Sequence, residues 1–137
     1  MKFIKKFVFI STFVAVFSTS NANAQIVEGD AAKKKFESDK NSSSVLYQRK
    51  KKFYYSKNGA DEVKKPKEIT IKAGEPLFII NEEKKITHNV YDETDGSWVL
   101  KKQKPGGTAY TTFSKPGVHK LRCAIHPKMK VSVTVVE

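Results

Sequence analysis

Three side chains with metal-binding donor atoms fall within seven residues of this sequence. Cys123-Ala124-Ile125-His126-Pro127-Lys128-Met129 gathers a thiol, an imidazole and a thioether. A second imidazole, His88, lies 35 residues before Cys123, in Thr87-His88-Asn89-Val90. Cys123 is the single cysteine of the chain, and Met129 the only methionine besides Met1. Two imidazoles and a thiolate in one plane, with a weak axial thioether, form the ligand set of a copper centre that exchanges single electrons. The soft thiolate and thioether favour Cu(I), while the imidazoles suit both oxidation states. A geometry between the two preferences lets the charge change with little rearrangement. Four protein donors leave no open position for a substrate, which argues against a hydrolytic centre. His88, Cys123, His126 and Met129 are therefore the candidate ligands of one copper ion per chain.

Each of these residues has a simpler reading when taken alone. A lone cysteine at a strand end is usually a small buried hydrophobe. A loop histidine is more often solvated, and a methionine before a terminal strand more often core. Their coincidence at this spacing is what favours a metal. His119 shows the contrast, because strand alternation puts it on the same face as Leu121 and Cys123, opposite Lys120 and Arg122. It reads as a core or edge residue and not as a ligand.

The elements that must position these donors read as short strands. Ile69–Ile71, Leu77–Ile80, Thr87–Tyr91, Trp98–Leu100, Thr108–Phe113, Val118–Cys123 and Val131–Val136 are apolar or alternating runs broken by glycine, proline and charged turns. Leu77–Ile80 is a continuous apolar run, suited to a strand buried on both faces. Val45–Tyr55 reads as one further strand, followed by the turn signal Asn58-Gly59. No segment shows helical periodicity over three turns, and about seven short strands in some 90 residues imply an all-β sandwich. In this scheme Cys123 ends one strand, His126 and Met129 fold back before the last, and His88 comes from a neighbour.

The 137 residues fit one domain. A single cysteine excludes an internal disulfide framework. Residues 1–24 read as a secretory signal peptide: three lysines lead into a twelve-residue apolar run, Phe7 to Ser18, with Ala22-Asn23-Ala24 as the cleavage site. Twelve residues fall short of the roughly 20 that span a bilayer, so no stable membrane insertion is expected after cleavage. Residues 25–44 read as a flexible charged leader with at most a short helical turn, and 45–137 as the folded domain. Removing three of the 26 basic residues leaves 23 against 14 acids, a net charge of +9. Inside a cell, Arg49-Lys50-Lys51-Lys52 followed by Phe53, Tyr54 and Tyr55 would suggest nucleic acid. In an exported chain the expected partners are acidic proteins or anionic surfaces, or the run is simply a solvated face.

The segment Ala73–Asn81, then His88-Asn89-Val90, Pro116-Gly117 and Cys123–Met129, resembles the cupredoxin family over roughly residues 69–137. Among cupredoxins, the Cys-x2-His-Pro-x-Met loop is most similar to that of the amicyanins. The resemblance implies a Greek-key β-sandwich of about seven to eight strands, with one type 1 copper at its loop end held by His88, Cys123, His126 and Met129. It implies that Asn89 ties the two ligand loops together by hydrogen bonds. It also implies that the His126 edge is the solvent-facing route for electrons. Two features depart from the family pattern. The lysine-rich stretch 25–67 has no clear counterpart, and His126 has basic neighbours, Lys128 and Lys130, with Lys84, Lys85, Lys101, Lys102 and Lys104 expected on nearby loops.

The expected function is a periplasmic blue-copper protein that shuttles single electrons. Its expected partners are acidic redox proteins of the cytochrome c, dehydrogenase or oxidase kind. It is expected to be a monomer, to bind no nucleic acid and not to be an enzyme. Copper oxidases need further histidine-rich sites, and only His119 remains after the two ligands. The alternative is a periplasmic copper carrier that delivers metal to an exported oxidase.

Overall fold

The computed structural model describes residues 24–137. The expected signal peptide, apart from Ala24, therefore lies outside the described residues. Among the described residues, eleven strands form two sheets. The first sheet runs in the order β1 (Ala24–Glu28), β9 (Thr108–Phe113), β6 (Leu77–Asn81), β2 (Ser44–Arg49), β3 (Lys52–Lys57), β4 (Val63–Lys64). The second runs β5 (Glu68–Lys72), β11 (Lys130–Val136), β10 (Gly117–Arg122), β7 (His88–Asp92), β8 (Ser97–Gln103). Two pairs are parallel, β2 with β6 and β5 with β11; the rest are antiparallel. The strands β5, β9 and β11 alternate strictly between buried and less buried residues, as half-buried sandwich strands must. Their inward side chains meet in one core, where Leu46, Ile79 and Phe113 face Ile71, Leu121 and Val133. Each such side chain contributes roughly 1.5–3 kcal/mol by leaving water.

The strand β6 is buried at all five positions, as its unbroken apolar sequence predicts. Leu77 and Ile79 point into the sandwich, while Phe78 and Ile80 point outward and join Val45 in a second cluster. That outer face explains the fate of the N-terminal segment. The segment is not a flexible leader: β1 adds to the free edge of β9, and a helix α1 (Asp30–Asp39) packs against β1 and β9. Phe36 of α1 sets its ring edge-on to Phe78 at 5.3 Å. The helix buries little else besides Ala32, so its apolar signal is two residues wide and hard to see as a period.

The stretch Val45–Tyr55 is also not one strand but the hairpin β2–β3. Arg49 pairs with Lys52, and the two turn residues, Lys50 and Lys51, both take left-handed backbone angles (φ 52° and 57°). That is the primed turn whose twist suits a hairpin, normally written with Asn-Gly; two lysines conceal it. The aromatic neighbours do not form a stacking platform. Phe53 is buried, and Arg49 lies over Tyr54 and Tyr47 while forking to Glu62 and Glu82.

Candidate metal centre

The candidate ligands come from the two places where the fold turns at one end of the sandwich. The strand β10 stops at Arg122, and Cys123 is the first residue of the loop to β11. The loop closes on itself by backbone bonds: Met129 N donates to His126 O at 2.9 Å, and Cys123 N donates to Met129 O at 2.9 Å. Pro127 fits the first of these turns, because its fixed φ suits the position after His126. Cys123, His126 and Met129 are thereby held on one short arc. His88 opens β7, where the register with β8 slips on either side of Val90. Such irregularities re-aim side chains near sites, and here His88, Asn89 and Val90 are all buried in succession.

The side chains converge. Cys123 Sγ lies 3.7 Å from His88 Nδ1 and 3.6 Å from His126 Nδ1. The three donor atoms are all within 4.8 Å of one another. A d-block ion with bonds of about 2.3 Å to sulfur and about 2.0–2.1 Å to imidazole separates such donors by roughly 3.6–3.8 Å when the angle is near trigonal or tetrahedral. The observed spacing fits that demand. Met129 is buried at the end of the same loop, and Cys123 and His88 are fully buried, while His126 is half-exposed. A soft thiolate beside two imidazoles is a donor set that suits copper, and the buried thioether of Met129 would be a further donor of the same kind.

Surrounding groups hold the donors in place. Asn89 Oδ1 accepts from Ala124 N at 2.7 Å and lies 3.4 Å from Cys123 Sγ, so it ties the His88 strand to the Cys123 loop. Glu83 was not singled out by sequence. Its Oε1 lies 3.2 Å from His88 Nε2 and accepts from Lys51 N at 2.7 Å. This leaves His88 Nδ1 turned toward Cys123, the orientation that carboxylate–histidine pairs impose at metal sites. Glu83 is held in turn by its amide, which donates to Asn81 Oδ1 at 3.0 Å. The only sequence signal was an acidic pair, Glu82-Glu83, a few residues before the histidine.

The electrostatics follow from these contacts. Burial alone would push the Cys123 thiol up, but hydrogen bonding to His88, Asn89 and His126 outweighs it and lowers the thiol to about 6. Burial likewise pulls His88 down, and its contacts with Cys123 and Glu83 reverse this and raise it. Burial raises the Glu83 carboxyl, yet the Lys51 amide and His88 bring it below its usual range. The ensemble favours a thiolate, which is the metal-binding form of cysteine.

His119 does not join this group. It is buried in the core, stacked on Phe113 at 4.2 Å between ring centres, with Nδ1 2.6 Å from Asp92 Oδ2. Of the lysines expected near the site, Lys128 and Lys130 line a cleft beside Met129. Lys84, Lys85, Lys101, Lys102 and Lys104 are exposed but are not among its lining residues.

No family model and no curated protein sequence matches the chain. Its structure does match solved ones. A reduced Cu(I) form of an amicyanin variant at pH 4 is 22% identical, with a TM-score of 0.61, covering 83% of this chain and 99% of that one. A second reduced amicyanin variant is 23% identical with a TM-score of 0.60, covering 83% and 99%. Amicyanin from Paracoccus versutus is 24% identical with a TM-score of 0.54, covering 69% and 81%. At these identities the likeness speaks for the backbone and its topology. Together with the two sheets described above, it establishes that the chain has a cupredoxin-like β-sandwich fold.

Proposed function

We propose that the chain is a type 1 blue-copper electron carrier, exported to the periplasm, in which His88, Cys123, His126 and Met129 hold one copper ion. The observation that carries this reading is the buried Cys123 Sγ with both imidazole Nδ1 atoms 3.6–3.7 Å away. Copper bound there would supply a one-electron couple between Cu(I) and Cu(II). The protein's own residues supply everything else. Burial of His88, Cys123 and Met129 keeps water from the donors. Glu83 fixes the His88 ring, Asn89 pins the Ala124 amide, and the paired backbone bonds between Cys123, His126 and Met129 hold the loop. A donor set held this firmly need not rearrange when the charge at its centre changes. His126, half-exposed beside the exposed Ile125, is the edge through which electrons enter and leave.

The similar amicyanins were solved in both Cu(I) and oxidised states, which agrees with a site that accommodates either. The signal-peptide pattern of residues 1–24 supports the periplasm. The basic balance of the chain supports acidic redox partners. With four donors on the ion there is no position for a substrate, so the reading is a carrier and not an enzyme.

The test is repeated reduction with ascorbate and reoxidation with ferricyanide in the presence of a strong Cu(I) chelator. A carrier keeps its copper and its absorbance through many cycles. Loss of copper to the chelator at each reduction would overturn the carrier reading in favour of copper delivery.

A further inference from the structure

A cleft of about 860 Å³ opens beside Met129, at the edge where the two sheets part. One wall is the β2–β3 turn and the segment entering β5, which contribute Lys50, Lys51, Lys52, Lys65 and Lys67. The facing wall, from β10 to the start of β11, contributes Lys120, Lys128 and Lys130. Between them the lining is apolar: Phe53, Pro66, Leu121, Met129 and Val131, all buried. None of the eight lysines is ion-paired to a carboxylate among the described residues. The one carboxylate at the cleft, Glu93, is already engaged by Arg122. Other lysines of the described residues are unpaired too, such as Lys33 and Lys34 on α1 and Lys101 and Lys102 on β8, but here eight face one concavity.

Eight like charges around one concavity repel each other and focus a positive potential inside it. An anionic occupant relieves that repulsion, and the buried floor and concave shape narrow its kind. Single-stranded nucleic acid would need exposed rings for its bases to stack on, whereas Phe53 is buried. A bilayer surface does not follow a concave wall. The volume falls within the roughly 300–1,000 Å³ of small-ligand sites, enough for a few residues of extended chain. We propose that this lysine-walled cleft docks an extended acidic segment of a partner protein, whose carboxylates pair with the lysines of both walls. As the place where an electron-exchange partner engages, the cleft rests on the carrier reading; binding of the segment does not.

The probe is a fluorescent synthetic peptide of Glu and Asp, titrated against the full mature chain, with and without copper. Binding at low ionic strength that weakens as salt rises is expected. Charge reversal on opposite walls, Lys67→Glu with Lys120→Glu, should weaken it at least about tenfold. The neutral pair Lys67→Gln with Lys120→Gln should weaken it less, and provides the test if the reversed pair misfolds. Reversal on the helix, Lys33→Glu with Lys34→Glu, should change it less than about twofold. Absence of binding, or equal weakening by the helix pair, would overturn the proposal. Tighter cleft-dependent binding of single-stranded oligonucleotide or of phosphatidylglycerol vesicles would overturn the choice of a polypeptide. Peptide binding by a chain that takes up no copper would sink the carrier reading and leave the cleft standing; a blue protein that ignores the peptide would do the reverse.

Discussion

Cys123 is held at the residue scale by contacts that each fix one degree of freedom. Its amide is tied to Met129 O, its sulfur faces two imidazoles, and its neighbour Ala124 is tied to Asn89. Asn89→Ala should leave the Ala124 amide without its acceptor and cost about 1–3 kcal/mol, read as a lower urea midpoint of the metal-free protein. It should also loosen the loop, so that copper dissociates faster. The thioether of Met129 favours Cu(I), whereas an amide oxygen is a harder donor. Met129→Gln should therefore keep copper and lower the reduction potential by about 60 mV or more, which corresponds to a tenfold change in relative affinity for the two oxidation states. Voltammetry of the purified variant measures it, and an unchanged potential would remove Met129 from the ligand set. The candidate ligands themselves were legible in sequence because cysteine, histidine and methionine are rare here and fall at a chemically meaningful spacing. Glu83 was not, since nothing in Glu82-Glu83 says which carboxylate turns inward; only the backbone of Lys51, from another hairpin, decides it.

Elements were legible where alternation or an apolar run is long enough to count. The strands from β5 to β11 follow their sequence patterns closely, and β6 is buried on both faces as its composition demands. The N-terminal elements were not legible, because their order comes from the surface they cover. The helix α1 has two apolar contacts of note, Ala32 and Phe36, and its stability comes from the outward face of Phe78. Phe36→Ala should then cost about 2 kcal/mol and raise the hydrogen exchange of α1 without altering the visible spectrum. An unchanged melting temperature would show that the helix is not a cover for β6. The β2–β3 turn gives a test of opposite sign. Lys50 and Lys51 occupy left-handed conformations that Asn and Gly adopt more readily. Lys50→Asn with Lys51→Gly should stabilise the fold by about 1 kcal/mol, seen as a higher thermal midpoint.

For the whole molecule, the sandwich gathers its candidate donors at one end, with eight lysines that lack carboxylate partners among the described residues around the cleft beside them. Met129, the proposed fourth donor, also lines the lysine cleft, while His126 reaches the surface between exposed neighbours. The cleft could not be read along the chain, since its lysines come from separate segments that only the fold brings together. The candidate donors could, because three of the four share one loop. The most direct measurement is a titration of the metal-free mature protein with Cu(II), followed by visible absorption and electron paramagnetic resonance, with Cys123→Ser run alongside. An intense thiolate-to-copper band with narrow hyperfine splitting is expected, saturating at one copper per chain and bleaching reversibly with ascorbate, and absent from Cys123→Ser. A pale spectrum, or the same spectrum from Cys123→Ser, would contradict the assignment of Cys123 as a copper ligand.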